Sequence, residues 1–326
     1  MKRTVFFLSV ILLGAVLIAS TAGQKQGKEF RIGWIPQGYQ TSPWWQIVDA
    51  SLRESVDKSP YNLVLFRSAP TSHEALAETI NFIEDFASKK VDVIVMSGEN
   101  SEPGAKLNEV KKQYGIPAIL VNTSSGIPGY KAITLVGSDQ NQIGSTLGKW
   151  VHKRLAGKGK IAYIEGQPGM PANEERKNSF LKELKGSGYS VVAHGFAVWD
   201  RAKAMAVAED ILQAHPDVDL IFGLSDEMAL GALKVVEDMG LQSKIQIVGT
   251  DGNPNAIESV LQGGLTATIA QRPDLVGSLV ITEVIPKLIE GKQSQIPANI
   301  TCPIMLIDKT NAEEYKSITD KYSGVK

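Results

Sequence analysis

The 326-residue chain has a single cysteine, Cys302. One thiol excludes an internal disulfide and a zinc site built on cysteines. Four histidines, His73, His152, His194 and His215, stand far apart and never at metal-ligand spacing, so no metal is expected. An excess of either charge is also lacking: 34 Lys and Arg meet 35 Asp and Glu, a net of −1. Nucleic acid, which calls for a strongly basic face, is therefore not an expected partner. No G-x-G-x-x-G follows a strand pattern, which argues against a nucleotide-binding half and a bound cofactor. Gly144 to Lys149 reads Gly-Ser-Thr-Leu-Gly-Lys, one residue short of a phosphate-cradling loop. A G-x-S-x-G elbow is missing too, and no nucleophile–base–orienter set can be assembled. An enzyme is not expected.

Only one long apolar run occurs. Val5 to Ala19 follows Lys2 and Arg3 and leads into Ser20-Thr21-Ala22. A basic start, an apolar stretch of this length and small residues at its end make a secretory leader. The run is short for a hydrocarbon core of about 30 Å, so residues 1–22 are expected to be cleaved rather than to anchor the chain. No cysteine follows to carry a lipid. That points to a periplasmic protein. The remainder has ordinary globular composition, 43% apolar and 21% charged, with length for about two domains.

After residue 29, short apolar runs alternate with helical patterns. Strands are expected at 30–35, 63–66, 91–96, 118–121, 133–136, 160–164, 189–196, 220–223, 245–248 and 267–269. Helices are expected between them, the first over 44–56 behind Ser42 and Pro43, the last a single long helix over 275–289. The strands are near-continuous Val, Ile and Leu rather than alternating. That is the pattern of a parallel sheet covered by helices on both faces. A weak internal repeat supports two such sheets. Val91-Asp-Val-Ile-Val, a helix, and then Ile119-Leu-Val-Asn-Thr123 match Val218-Asp-Leu-Ile-Phe, a helix, and Ile247-Val-Gly-Thr-Asp251. The fold class expected is α/β, two similar doubly wound lobes.

In open α/β sheets the strand C-termini face the ligand crevice. Here those ends carry indoles, amides and charged planar groups. Trp44 and Trp45 follow the first strand, and an indole face packs on the C–H face of a sugar ring. Adjacent helical positions face different ways, so at least one of the two is expected in the site. Asn122 and Thr123, Asp139 and Asn141, Arg176, the run Trp199-Asp200-Arg201, Ser225 and Asp226, Asp251 and Gln271 each follow a later strand. Amides, carboxylates and guanidinium groups pair with adjacent hydroxyls two at a time. Such residues also cap helices; for Asp226, and for Glu99 and Asn100, capping is an equal alternative. The site expected is a ligand-binding cleft formed by Trp44, Trp45, Asn122, Asp139, Arg176, Trp199, Ser225, Asp251 and Gln271.

At these residues the chain resembles the ribose/galactose/xylose group of periplasmic sugar-binding proteins, receptors of ABC importers. The likeness is carried by Ser225-Asp-Glu-Met-Ala-Leu-Gly-Ala232, Val248-Gly-Thr-Asp-Gly252, Ala267-Thr-Ile-Ala-Gln-Arg-Pro-Asp274, the Ser42-Pro-Trp-Trp45 loop and Glu165 to Phe180. It runs from about Phe30 to Ile307. The resemblance implies that Trp44, Trp45 and Trp199 sandwich the ring, and that Arg176, Asp251 and Gln271 hold hydroxyls or the ring oxygen. Ser225 stands where the ribose receptors carry Asn, and Asn122-Thr123 where they carry an Asp-Arg pair. These departures point away from ribose, toward another neutral monosaccharide, a deoxy sugar or a polyol. The resemblance also implies a three-segment hinge, with crossings near Ser138, Gln271 and Asn299. The lobes would then be 28–138 plus 272–299 and 139–271 plus 300–326. An inner-membrane ABC permease would be the partner and the receptor a monomer. A ligand-sensing role toward a membrane chemoreceptor or kinase is the alternative, and a secreted α/β enzyme a remote one.

Overall fold

The computed structural model describes residues 25–98, 101–123 and 125–322. The expected leader, Glu99 and Asn100 lie outside the described residues. In chain order the first half contains β1 (Gln26–Ile35), α1 (Pro43–Lys58), β2 (Tyr61–Arg67), α2 (Leu76–Ser88), β3 (Val93–Ser97), α3 (Ser101–Tyr114), β4 (Ala118–Val121) and β5 (Leu135–Gly137). The second half continues with α4 (Gln140–Arg154), β6 (Lys158–Glu165), α5 (Pro171–Leu184), β7 (Gly188–Phe196), α6 (Arg201–Ala214), β8 (Leu220–Gly223), α7 (Asp226–Asp238), β9 (Gln246–Asp251), α8 (Pro254–Gln262) and β10 (Ala267–Ala270). The chain ends with α9 (Pro273–Leu279), α10 (Ile285–Ile289), β11 (Asn299–Thr301), β12 (Met305–Asp308) and α11 (Ala312–Thr319).

These strands form two six-stranded sheets. The first runs β11-β5-β4-β3-β1-β2, and the second β12-β10-β9-β8-β6-β7. Replacing each strand of the first sheet by its counterpart gives the second, as the sequence repeat suggests. One difference remains: β11 lies parallel to β5, whereas β12 lies antiparallel to β10.

Burial on both faces follows from side-chain alternation along the strands. In β3, Val93 and Val95 join one core cluster while Ile94 and Met96 join the other; in β4, Ile119 and Val121 part from Ala118 and Leu120 in the same way. α1 shares the first cluster with α9 and α10, through Val48 and Leu52 on one side and Val276, Val280 and Ile285 on the other. α2 and α3 cover the opposite face through Ile83, Phe86 and Leu107. In the second lobe one continuous cluster joins both faces, with the rings of Phe180 and Phe222 tilted against each other at 4.7 Å.

The helix expected over 275–289 is broken. α9 widens into a π turn at Val280–Val284 before α10 begins. Pro286 has no N–H to give Thr282, and Ile285 N–H reaches back five residues to Val280 O instead. A proline inside a helix forces such an adjustment.

The chain passes between the sheets after β5, after β10 and after β11. The third passage comes later than the expected Asn299, because Ile300 and Thr301 still pair with Val136 and Gly137 of the first sheet. The passages are laced together. Ser138 Oγ donates to Gln271 O at 3.1 Å, and Cys302 N–H donates to Gly137 O at 2.9 Å.

Candidate functional site

The C-terminal ends of both sheets meet across one narrow cleft. β1 leads through Ser42 to Trp44 and Trp45, β2 to His73, and β4 to Asn122. From the other lobe, β6 leads to Met170, Ala172 and Arg176, β7 to Trp199, β8 to Ser225 and Glu227, and β9 ends at Asp251. All of these except Asn122 are buried.

Both adjacent tryptophans reach the cleft. They stand edge to face, 4.9 Å between centroids, in the first turn of α1, where the helix meets the cleft end-on. Trp45 also packs on Trp34 at 6.3 Å. Trp34 itself is fully buried and donates to Asp49 at 2.9 Å, so it belongs to the core. Trp44 Nε1 is buried without a hydrogen-bond partner, and so is Asn122 Oδ1. A buried unpaired polar atom costs about 1–3 kcal/mol; in a cleft wall it is a contact point for a polar ligand.

Trp199 closes the opposite side. Its indole lies over Gly166, where a Cβ would come within 2.0 Å of the ring, and its Nε1 sits 3.2 Å from Met170 Sδ. Only a residue without a side chain admits the ring there. Backbone strain gathers around the cleft: Asn122 (φ 57°), Val198 (φ 53°), Trp199 (φ 63°) and Asp251 (φ 134°) are all non-glycine residues in the positive-φ region. Such conformations cost about 1–3 kcal/mol each and concentrate at functional sites.

Arg176 runs beneath the indole of Trp199, 5.8 Å from the ring centre. Its Nε and Nη2 donate to Gln140 Oε1 at 3.2 and 2.6 Å, and its Nη1 donates to Leu224 O. Gln140 Nε2 donates to Gln271 Oε1 at 3.3 Å, and Gln271 Nε2 donates to Asp251 Oδ1 at 2.7 Å. A relay of neutral amides therefore fixes a buried cation and a buried carboxyl group. Burial pushes the Asp251 carboxyl well up, the nearby Asp226 adds to this, and Arg176 opposes both. Burial likewise lowers the Arg176 guanidinium.

Two expected site residues are placed elsewhere. Asp139 caps α4, accepting from Asn141 and Gln142 N–H at 2.9 and 3.2 Å, and sits on the outer side of the first crossing. A carboxylate just before a helix satisfies the helix's free N–H groups and points along its axis. Gln271 stands behind the cleft wall, where it braces Asp251. Ser225 both lines the cleft and caps α7 through Met228 N–H. Asp226 does neither; it is buried between β9 and β10. Ser42, His73, Met170, Ala172 and Glu227 were not expected in the site. Glu227 is held by Arg201 at 2.9 and 3.0 Å and by Asn255 at 3.0 Å. Glu227 is the second residue of α7 and reads as a first-turn carboxylate, and His73 lies in a loop ahead of a helix, so neither carries a strand-end signal of its own. Across the mouth of the cleft, Lys203 of α6 pairs with Glu74 of the first lobe at 3.0 Å. Among the described residues there is no group of three or more His, Cys, Asp or Glu able to hold a metal.

Comparison with known proteins agrees with this architecture. A ribose import binding protein of Bacillus subtilis is 30% identical over 287 residues, 88% of this chain and 89% of that one. An ABC transporter periplasmic solute binding protein of Actinobacillus succinogenes, solved with bound D-allose, superposes with a TM-score of 0.79 at 26% identity, covering 88% of this chain and 100% of that one. An ABC transporter solute binding protein of Burkholderia graminis in complex with D-arabinose gives 0.79 at 25% identity over 88% and 98%. The model of the periplasmic binding protein domain matches residues 32–293. With its two mirrored parallel-sheet lobes and the cleft between them, the chain belongs to the periplasmic binding protein family.

Proposed function

We propose that the protein is a periplasmic receptor that captures a neutral monosaccharide or polyol between its lobes and delivers it to an ABC importer. One observation carries this reading. Three indoles, a guanidinium, two carboxyl groups and an amide converge on one cleft at the strand ends. Indoles cover the apolar faces of a small ring, while the polar groups address its hydroxyl edge. Arg176 is braced by the Gln140 amide and Asp251 by the Gln271 amide, planar groups held ready for hydroxyls. The relatives named for ribose, allose and arabinose bind molecules of this class. Leader cleavage near Ala22, action as a monomer and docking on an inner-membrane permease belong to the same reading. So does a division into two lobes that bend about the three laced crossings as ligand closes them. The cleft holds groups suited to grip a ligand, not to break a bond in it.

A thermal-shift screen over pentoses, hexoses and polyols tests the proposal. Binding to the native state raises its melting point by mass action. A hit among neutral sugars or polyols supports the receptor; shifts with amino acids or anions alone would overturn it, as would catalytic consumption of the hit.

A further inference from the structure

Asp226 is fully buried, yet it takes no direct part in the cleft. Its Oδ2 accepts from the Asn253 N–H at 2.8 Å, and its Oδ1 pairs with Thr268 Oγ1 at 2.6 Å. Both partners are neutral. The first belongs to the turn between β9 and α8, the second to β10. Room for the carboxyl group is made by Gly249, where a Cβ would come within 2.4 Å of Asp226 Oδ1. The turn held in this way starts at Asp251, whose φ of 134° is the least ordinary of any non-glycine residue in the cleft. Strained backbone persists only where its surroundings over-determine it. Gln271 holds the Asp251 side chain; Asp226 is placed to hold its backbone.

We propose that Asp226 is a positioning residue for the cleft: its buried carboxyl group straps the β9–α8 turn to β10 and thereby fixes Asp251 toward the ligand. The strap is two hydrogen bonds donated to the carboxyl oxygens. Burial pushes the Asp226 carboxyl up to about 7, against the lowering pull of its Thr268 and Asn253 hydrogen bonds. The charged and titratable groups around it are Asp251 on β9, Glu227 on α7, Arg176 on α5 and Tyr315 on α11. Because Asp226 and Asp251 are both raised, the folded state holds more protons than the unfolded chain above the ordinary carboxylate range. The stability that Asp226 contributes is present at acid pH and is lost as pH rises through about 7, and Asp251 acts in the same direction.

This role assumes that the cleft is the ligand site, but its test needs no ligand. A failed strap and a failed receptor reading therefore show in different measurements. Melting temperature is followed from about pH 5 to about pH 8, and amide exchange is followed over residues 251–256, in the ligand-free full chain. Asp226→Asn keeps the side chain's shape and one acceptor, for Asn253 N–H, and removes the titrating proton; the Thr268 hydroxyl, which donates in the native pair, turns to accept from the amide. It should keep the turn protected and flatten the fall in melting temperature by about half or more. Asp226→Ala should speed exchange in the turn about tenfold or more while β6 and α5 stay protected. Should Asp226→Ala not fold, Thr268→Val, which removes only the hydroxyl, replaces it with the same expected local loosening. An unchanged turn in Asp226→Ala or Thr268→Val overturns the proposal. So does a turn loosened as much by Asn as by Ala, or a pH slope that Asp226→Asn leaves intact.

Discussion

The first lobe meets the cleft with Trp44 and Trp45 and with neutral or hydroxyl groups such as Asn122 and Ser42. The second brings Arg176, Asp251 and Glu227, together with Trp199. In the second lobe the polar groups are already satisfied, through Gln140, Gln271 and Arg201. In the first, Trp44 Nε1 and Asn122 Oδ1 are not. Sheets of matching order have thus been given unequal work. Under the proposed function the second lobe would be a pre-built grip, and the first a cover whose unpaired polar atoms would meet the ligand. Preorganised groups spend less on ordering when they bind, so the second lobe should dominate affinity.

The largest effect should therefore come from Asp251→Ala. It removes a buried cleft group and leaves the Gln271 amide that braces it without its acceptor, a loss of about 1–3 kcal/mol on top of the lost ligand contact; titration calorimetry should show affinity falling about a hundredfold or more. An effect under about threefold would break the asymmetry. Trp199→Ala comes next, with about 2–3 kcal/mol lost as the ring contact and its seat on Gly166 empty. Trp44→Phe keeps most of the area but removes the N–H, so it should cost about 1 kcal/mol, or about fivefold. If affinity is unchanged, Trp44 contributes area alone. The smallest effect is expected from Lys203→Met. The Lys203–Glu74 pair is exposed on both sides, 52% each, and such pairs are worth about 1 kcal/mol or less. Small-angle scattering of the ligand-free protein should then show a slightly more open average, and the difference should vanish at high salt.

Much of the architecture could be read from the chain. Ala118–Val121 and Leu220–Gly223 are unbroken apolar runs bounded by polar or glycine residues, and the sheets use them with those limits. β11 and β12 were invisible. They are three and four residues long, half-exposed, and separated by Pro303; only tertiary pairing with β5 and β10 makes them strands. α11 escaped as well, since its buried face is little more than Ala312, Tyr315 and Thr319. In the site, indoles and charged planar groups after strands were legible because topology aims them at one crevice. Asp139 and Gln271 stand outside the cleft lining because the same side chains serve as cap and brace, and sequence does not show which way a carboxylate or amide turns. His73 lies in the β2–α2 loop and Met170 at the cap of α5, places whose side-chain direction no periodicity records.

The lone thiol has a practical consequence. Cys302 lies fully buried at the third crossing, and burial raises it to about 12. A thiolate is the reactive form, so this position should stay silent toward maleimide dyes at neutral pH. A cysteine introduced at Glu74 or Lys203 would then be the sole labelled position, without any need to remove the native one. If the lobes close on ligand as proposed, a single fluorophore at the rim would report their approach in real time.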